Sequence, residues 1–549
     1  MLAVIFSSLH FPLGVSELYK WPGLNEPLIY LSAGHVRSFC ILGARLVKEN
    51  RNAIITIIVA PNLLSKAQTE ILAELGDESF EAAWRRIRCV KHIHSKWPQM
   101  LMAYILRVLS SFQSNSQSIF VLTPLAIETY SAVYKALSRA ESVSCAVTGV
   151  KYDAISAPNV VILSYFAYRQ MLATRAISGH KVPIVSWLTG HASAMIRAHG
   201  PEYMGGHGNL GAKIDAEAAR RGVTPKEIGD TIYNRTDGTV IKIPGIPDMY
   251  DWEYFPQVLP FETAMSDFIK EGYGGLKECD AVFTTSTYAF EEQSLNAVKS
   301  WISKWNKEVY VIGPLLPSGY GKMVDNRGTG EIKEFMDKML AERGRKSISF
   351  GTIFWPIVQA YIEEIIEALI EKDFPFLLAY ASPFATVSDD QVQKINQSGL
   401  GLISKWFPQQ FILGHPATGW FLTHCGQNGV IESLGCGIPM ICWPFETDQP
   451  AAAAHLTHNL KVAFELIEVR TGEKGLKPIF RTGRKAKGTR EAVGVEIREI
   501  IDSCRSEQGD MIRKNAEGIR EKFSKTWEAD GAGRREFLSF LTNYNVKLA

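Results

Sequence analysis

Short apolar runs alternate with longer amphipathic stretches along the whole chain, which is typical of βα units and parallel sheets. In the first half, this pattern predicts buried strands at residues 28–31, 53–59, 160–163, 183–188, 281–285 and 309–312. In the second half, it predicts strands at residues 347–350, 374–380, 419–423, 439–443 and 462–466. Residues 36–49 carry apolar side chains at helical spacing, so the first unit is predicted to be βαβ.

The join between the two halves is marked by a glycine-rich stretch without apolar periodicity. We predict a domain of residues 1–317, a linker of residues 318–332 and a second domain of residues 333–525. The fold class is therefore α/β, with two doubly wound, Rossmann-like domains that face each other across a cleft. Ligands are expected at the carboxyl ends of the strands.

Two segments interrupt the alternation. Residues 190–261 are rich in Gly, Pro, His and aromatic residues, which favours a binding-loop region over scaffold. Residues 470–490 hold eight Lys or Arg residues and one Glu, which indicates either a solvated mobile loop or a segment that contacts an anionic membrane surface.

Composition narrows the class of protein. A chain of 549 residues with 46% hydrophobic and 21% charged residues is typical of a two-domain globular enzyme, and its net charge of +2 gives no bias towards nucleic acid. Eight cysteines without a CxxC pair argue against a disulfide framework or a zinc ribbon. We interpret Cys425, Cys436 and Cys442 as small buried apolar residues.

The apolar N-terminal segment lacks the basic residues of a signal peptide. It could be a short anchor, a surface-docked strand or an inexact start of translation. No apolar run approaches the ~18 residues that span a bilayer, so we expect a cytoplasmic protein.

The chemistry is concentrated between Trp406 and Gln449. A predicted strand ends at His424, and the following turn opens a helix that carries Glu432. Gly426 and Gly429 allow the backbone to approach a ligand, and the helix N-terminus offers free N–H groups to a diphosphate.

Polar and aromatic residues complete this stretch. His424 can donate to a phosphate oxygen, and Glu432 can accept hydrogen bonds from ribose hydroxyls. Trp406 offers a flat face to a base. Asp448 and Gln449 follow the next strand, where a sugar would project.

Residues 406–449 closely resemble the signature box of family-1 UDP-glycosyltransferases, known from plant secondary-product enzymes, without gaps. The resemblance implies that Trp406 stacks on uracil and that Gln409 and Glu432 hold the ribose. It implies a diphosphate held by His424, Asn428 and the Gly429 amide, and a sugar held by Asp448 and Gln449. The predicted nucleotide-sugar site is Gly34, Thr352, Trp406, Phe407, Gln409, His424, Gly426, Asn428, Gly429, Glu432, Asp448 and Gln449.

The resemblance extends from about residue 28 to the end of the chain and implies the GT-B fold. The first domain would then bind the acceptor, the second would bind the UDP-sugar, and a C-terminal helix (residues 526–549) would return to the first domain. The sequence contains no Asp-x-Asp pair, so we expect no metal and no cofactor beyond the UDP-sugar cosubstrate.

The catalytic base is predicted to be His35. It follows Gly34 at the entry to the first helix, where the family has a catalytic Gly-His, and a histidine pKa lies near working pH. Ser164 stands where many relatives have the aspartate that orients this histidine, with Glu128 and Asp153 as alternative partners. Within the box, Gln427 replaces the usual Trp and Gly429 the usual Ser.

The resemblance predicts an inverting, metal-independent transfer of a sugar, glucose by preference, from a UDP-sugar to a hydroxyl of a small apolar acceptor, giving a β-glycoside. The alternatives are a non-catalytic UDP-sugar-binding protein, favoured by Ser164, and another GT-B activity such as a nucleotide-sugar epimerase. We expect a monomer without nucleic-acid partners. The predicted acceptor-binding residues are Trp187, His191, Phe354, Trp355 and Phe384.

Overall fold

The computed structural model describes most of the chain. The described residues are 2–7, 33–50, 52–59, 63–76, 87–90, 123–145, 148–259, 265–320, 330–343, 347–350, 355–380 and 385–544.

The first half contains one large parallel sheet and two small antiparallel pairs, β4–β5 and β8–β9. The strands are β1 Leu2–Ser7, β2 Ala53–Ile58, β3 Ile87–Val90, β4 Val143–Ser144, β5 Lys151–Tyr152, β6 Val160–Ser164, β7 Ile184–Leu188, β8 Val240–Ile241, β9 Met249–Tyr250, β10 Ala281–Thr284 and β11 Glu308–Val311. The large sheet has the order β11-β10-β7-β6-β1-β2-β3. Strands β6, β7 and β10 are buried along their whole length, as expected where helices cover both faces.

The second half forms a six-stranded parallel sheet. Its strands are β12 Ser347–Phe350, β13 Phe376–Ala379, β14 Gly401–Ser404, β15 Thr418–Thr423, β16 Met440–Cys442 and β17 Ala463–Glu465. The order is β14-β13-β12-β15-β16-β17, so both large sheets are doubly wound.

Helices connect the strands of both sheets. In the first half they are α1 Ala33–Glu49, α2 Leu64–Leu75, α3 Thr123–Ser138, α4 Tyr168–Ser178, α5 Ala192–His199, α6 Leu210–Arg221, α7 Pro225–Tyr233, α8 Met265–Glu278 and α9 Tyr288–Ser303. In the second half they are α10 Gly330–Arg343, α11 Gln359–Glu371, α12 Asp389–Ser398, α13 Gln409–Gly414, α14 Gln427–Cys436, α15 Gln449–Ala454, α16 Gly472–Gly475, α17 Arg490–Cys504, α18 Glu507–Ser524 and α19 Ala532–Asn543. Helix α10 begins inside the predicted linker.

The first strand of the sheet differs from the expectation. Strand β1 is formed by the apolar run at Leu2–Ser7, which pairs in register with β2 on one side and β6 on the other. It takes the place of the first strand, which the hydrophobic pattern predicted at residues 28–31. Residues 28–31 lie outside the described residues. Residues 2–7 are therefore a central strand of the sheet, which corrects the expectation of a surface-docked strand there.

The segment predicted as binding loops, residues 190–261, is largely regular structure. It forms α5, α6, α7 and the β8–β9 pair. Local capping explains these helices: the Asn209 side chain accepts from the Ala212 amide (3.0 Å), and Thr224 and Glu227 form a capping box around Pro225. The loop expectation was wrong because Asn, Thr and Pro, which are common in loops, here stand at the starts of helices.

The basic segment 470–490 is not a solvated loop. Arg470 and Arg481 both pair with Glu465, at 2.9 and 2.7 Å, and Arg484 pairs with Glu468 (2.9 Å). The segment docks on residues of the first half: the Val258 amide donates to the Thr471 hydroxyl (2.9 Å). Most of these charges pair within the second half, and Arg481 also reaches Glu253 of the first half (3.6 Å), which the composition alone did not indicate. The predicted membrane contact stays a prediction.

The end of the chain packs on the first sheet. Phe537 and Phe540 of α19 lie in its core, where Phe540 contacts Phe283 edge to face, 4.5 Å between ring centroids. The Trp527 indole donates to the Ile312 carbonyl (3.0 Å). The final helix thus joins the second half back to the first.

Candidate active site

Each large sheet has one point where its strand order reverses, between β1 and β6 in the first and between β12 and β15 in the second. Open α/β sheets bind ligands at the carboxyl ends of the strands that flank such a point. Ser164 is the last residue of β6, and His424 directly follows β15. His35 lies in the first turn of α1, the helix that follows β1. The predicted residues of both halves therefore fall at the two switch points.

Glu432 is the most heavily engaged residue of the predicted nucleotide site. It lies on α14 with its side chain 7% exposed, accepts a hydrogen bond from the Gln409 amide (2.6 Å) and forms an ion pair with Arg37 of α1. Arg37 also lies 3.3 Å from Glu70. Burial alone would lower the pKa of Arg37, but the carboxylates of Glu432 and Glu70 raise it above its usual value. Each carboxylate oxygen has a second lone pair, so Glu432 can still accept from ribose hydroxyls.

The two aromatic residues that precede Gln409 face opposite environments. Trp406 is 47% exposed, which leaves a ring face available for stacking on a base. Phe407 is buried and packs with Ile412 and Leu377 beneath the loop. Phe407 thus supports the loop that presents Trp406.

The turn after β15 presents backbone amides. Gly426 is the N-cap of α14, and Asn428 and Gly429 occupy its first turn, partly exposed. The His424 ring lies over this turn, because a Cβ on Gly426 would come within 2.5 Å of its Nε2. Burial lowers the pKa of His424 to about 4, against the opposing effect of the Asp448 carboxylate. A neutral imidazole in this position can donate one N–H to a phosphate oxygen.

The loop after β16 carries the predicted sugar ligands. Asp448 is partly exposed at the N-terminus of α15. Gln449 is buried, and its side-chain oxygen accepts from the Phe445 amide (2.9 Å) and the Glu446 amide (3.4 Å). Its oxygen therefore shapes the loop, which leaves the Nε2 group of Gln449 for a sugar hydroxyl.

The candidate partners of His35 are distributed unevenly. Ser164 is buried at the end of β6. Glu128 and Asp153 are exposed, on α3 and directly after β5 respectively. Ser164 is therefore the only one of these three at the switch point of the first sheet.

The predicted acceptor residues need correction. Trp187 is fully buried on β7, stacked on Phe39 (4.3 Å between centroids), so it is a core residue and does not line a pocket. Trp355 is also buried, and its indole donates to Gln359 (3.1 Å). Aromatic residues at strand ends serve packing as readily as binding, which explains both errors. Phe354 and Phe384, and Thr352 of the nucleotide site, lie outside the described residues.

Three contacts join the predicted donor site of the second half to residues of the first half. Arg37 binds Glu432, as described above. The side-chain amide of Gln427 donates from Nε2 to the Thr285 hydroxyl of the first half (3.3 Å). His191, expected near the acceptor, places Nε2 3.3 Å from the Cys425 carbonyl oxygen. No local motif announces these contacts, because each joins residues more than 140 positions apart in the chain.

Metal sites and membrane-spanning helices are both absent from the described residues. There, no group of three or more His, Cys, Asp or Glu side chains could hold a metal ion. In the same part of the chain, no helix is long and apolar enough to cross a membrane. The eight cysteines are all buried and free, which confirms the interpretation of Cys425, Cys436 and Cys442.

Two doubly wound parallel sheets, joined again by the C-terminal helix, have the architecture of the GT-B fold class. Comparison with known proteins agrees. The family described as "UDP-glucoronosyl and UDP-glucosyl transferase" matches residues 322–476. A UDP-glycosyltransferase of Hericium erinaceus, eriJ, is 28% identical over 92% of this chain and 96% of its own length. Linamarin synthase 1 of Manihot esculenta is 30% identical, but the match covers 46% of this chain and 54% of that relative.

Solved structures share the fold. A UGT transferase of Siraitia grosvenorii in complex with UDP has a TM-score of 0.65 at 17% identity, covering 99% of this chain and 100% of that one. UGT2 of Phytolacca americana, solved with UDP-2-fluoro-glucose and pterostilbene, has a TM-score of 0.63 at 14% identity, with 99% of each chain covered. The family model, the relatives and the shared fold together indicate a family-1 UDP-glycosyltransferase. The matches support a glycosyltransferase that uses a UDP-sugar donor.

Proposed function

We propose that this enzyme transfers glucose from UDP-glucose to a hydroxyl group of a small, mostly apolar acceptor, with inversion at the anomeric carbon. The pair Asp448-Gln449 supports glucose, because the family resemblance associates this pair with UDP-glucose. Linamarin synthase 1 and the complex of UGT2 with pterostilbene support acceptors that are small molecules. Phenols, terpenoids, sterols and lipids are the acceptor classes to test.

One contact carries the proposal: the ion pair between Arg37 and Glu432. Arg37 lies two residues after His35 on α1, and Glu432 lies on the helix whose N-terminus is the proposed diphosphate site. The start of α1 therefore faces the nucleotide box from the opposite half. This arrangement is the one that a base in the first half and a donor in the second half require.

The donor would be held by groups that are already oriented. Uracil stacks on exposed Trp406, and the ribose hydroxyls donate to Glu432, which Gln409 and Arg37 keep in place. The diphosphate accepts from the amides at the start of α14 and from His424. Asp448 accepts hydrogen bonds from the sugar hydroxyls. The helix dipole and amides also stabilise the negative charge that UDP acquires as it leaves.

The chemical step would be a direct displacement. His35 takes the proton of the acceptor hydroxyl while that oxygen attacks the anomeric carbon and the bond to the UDP oxygen breaks. The products are the β-glycoside, UDP and a protonated His35, which returns its proton to solvent. Ser164 would orient the imidazole without neutralising it. We propose no metal in this step, since Glu432, His424 and the α14 amides supply the donor contacts.

The proposed domains follow the same division: residues 1–317 bind the acceptor, residues 333–525 bind the donor, residues 318–332 link them and residues 526–549 return to the first domain. The described sheets fit this division, with β1–β11 in the first part and β12–β17 in the second.

The test is a UDP-release assay with UDP-glucose, UDP-galactose and UDP-glucuronate against a panel of phenols and alcohols. We expect the fastest release with UDP-glucose, a β-linked product by NMR, and no loss of rate with EDTA. The Asp448→Asn variant is the control, because it should lose UDP-glucose transfer while it still binds UDP. Comparable turnover with either rival donor would contradict the glucose assignment, and rescue of EDTA-treated enzyme by Mg²⁺ would contradict the metal-free step.

A further inference from the structure

His191 occupies a fixed position at the start of α5. Its side chain is 0% exposed, and its ring lies 5.3 Å from that of Phe290. The backbone after it is held by the buried carboxylate of Glu291, which accepts from the Ala192 amide (2.7 Å) and the Ser193 amide (3.1 Å). The imidazole therefore projects from a rigid part of the first half, and it has no open face towards an acceptor.

The ring reaches two groups of the second half with a single nitrogen. Nε2 lies 3.3 Å from the Cys425 carbonyl oxygen and 3.8 Å from Oδ2 of Asp448. A carbonyl oxygen only accepts, so Nε2 carries a proton. This N–H faces both the residue that opens the proposed diphosphate turn and the carboxylate proposed to bind the sugar.

Cys425 gives this contact its importance. Its φ of +69° lies in the left-handed region, which a residue with a Cβ adopts at a cost and keeps only when its surroundings hold it there. On the other side, the Cys425 amide donates to the Thr423 hydroxyl (3.1 Å). The turn is thus held from its own strand through the amide and from the opposite half through the carbonyl.

We propose that His191 is a positioning residue for the donor sugar: it fixes the Asp448 carboxylate relative to the Cys425 turn. The inference rests on the proposed function, because it assigns Asp448 to the sugar. It adds that binding of the sugar part of the donor depends on a side chain of the first half. Binding of the uridine part depends on the second half and on Arg37. Affinity for UDP-glucose and affinity for UDP should therefore respond differently to His191.

The experiment compares the Kd of UDP-glucose with the Kd of UDP by calorimetry. UDP lacks the sugar, so the ratio of the two constants isolates the sugar contacts. In His191→Phe, which loses both the hydrogen bond to the Cys425 carbonyl oxygen and the polar contact with Asp448, we expect the Kd of UDP-glucose to rise about tenfold and that of UDP to change less than about twofold. His191→Gln should restore most of the affinity, because its Nε2 group can donate from nearly the same place.

A matched control is His455→Phe. His455 is also buried and bonds across the two halves, with Nε2 2.6 Å from the Phe290 carbonyl oxygen, but its other ring nitrogen contacts the Asn459 side chain (3.0 Å) and not Asp448. If burial and bridging alone mattered, this variant would change the Kd ratio as His191→Phe does. We expect its ratio to equal that of the wild type, with the folding of each variant checked by its thermal midpoint.

The variant His191→Phe is then combined with Asp448→Asn. We expect no further change in the Kd ratio, because His191 acts through Asp448. Equal weakening of UDP and UDP-glucose by His191→Phe, or the same tenfold effect in the Asp448→Asn background, would overturn the inference. A failure of the proposed function is distinguishable, because Asp448→Asn would then leave UDP-glucose binding unchanged by itself.

Discussion

The ion pair between Arg37 and Glu432 makes a quantitative prediction about nucleotide affinity. Replacing Arg37 with Met keeps the length of the side chain and removes its charge. Two unit charges at about 4 Å interact with about 4 kcal/mol at an effective dielectric constant of about 20, before the cost of desolvation is subtracted. Arg37 is 27% exposed and Glu432 7% exposed, so much of this energy is offset.

The expected effect on UDP is smaller than the strength of the pair. In the variant, Glu432 keeps its bond to Gln409 but loses the partner that fixes its other oxygen. We expect one ribose contact to be lost, worth about 1.5 kcal/mol for a hydrogen bond to a charged group. This corresponds to a rise of roughly tenfold in the Kd of UDP, measured by calorimetry.

The matched control is Arg534→Met. Arg534 of α19 is 28% exposed and pairs at 2.9 Å with Glu49, the last residue of α1. This ion pair therefore lies at the end of α1 that is far from Arg37 and the donor site. It should alter the thermal midpoint as Arg37→Met does without changing the Kd of UDP. If Arg37→Met bound UDP as tightly as the wild type, or more tightly, Arg37 would be a competitor of the ribose and not its organiser.

Two further predictions concern separate parts of the chain. Gly429→Ser should lower the Kd of UDP about fivefold, because a Cβ there is in ordinary contact with Phe421 (3.4 Å) and the Thr423 hydroxyl (3.5 Å) and the new hydroxyl adds a donor worth about 1 kcal/mol. Weaker binding in calorimetry would contradict this. Burial lowers the pKa of His199 from 6.5 to about 3, so between these pH values the unfolded chain binds a proton that the folded chain does not, and stability falls by about 1.4 kcal/mol per pH unit on acidification. His199→Gln should flatten unfolding free energy against pH over this range, whereas the exposed control His180→Gln should not.

The sequence was most informative where function depends on local order. The donor site could be predicted because Trp406, His424 and Glu432 lie in one short stretch whose strand, turn and helix follow from the hydrophobic pattern. Trp187 was misassigned because an aromatic residue on a strand has the same pattern whether its ring fills the core or a pocket. Charge counts could not predict that Arg470 of the basic segment is buried and pairs with Glu465, which lies before that segment.

The contacts across the cleft were beyond sequence reasoning for a different reason. Arg37 and Glu432 are separated by 395 positions, and His191 and Cys425 by 234, so no periodicity relates them. Such pairs are fixed only when both sheets have formed and the halves have docked.

The central claim is that a base in the first half acts on a donor held by the second half. The most direct test measures UDP release and UDP affinity together for His35→Ala. A positioned general base contributes about 10²–10⁴-fold to rate, so we predict a loss of this size in kcat with UDP-glucose and an active acceptor, while the Kd of UDP changes by less than about twofold. A His35→Ala enzyme with the wild-type rate, or one that loses UDP binding together with activity, would contradict this account.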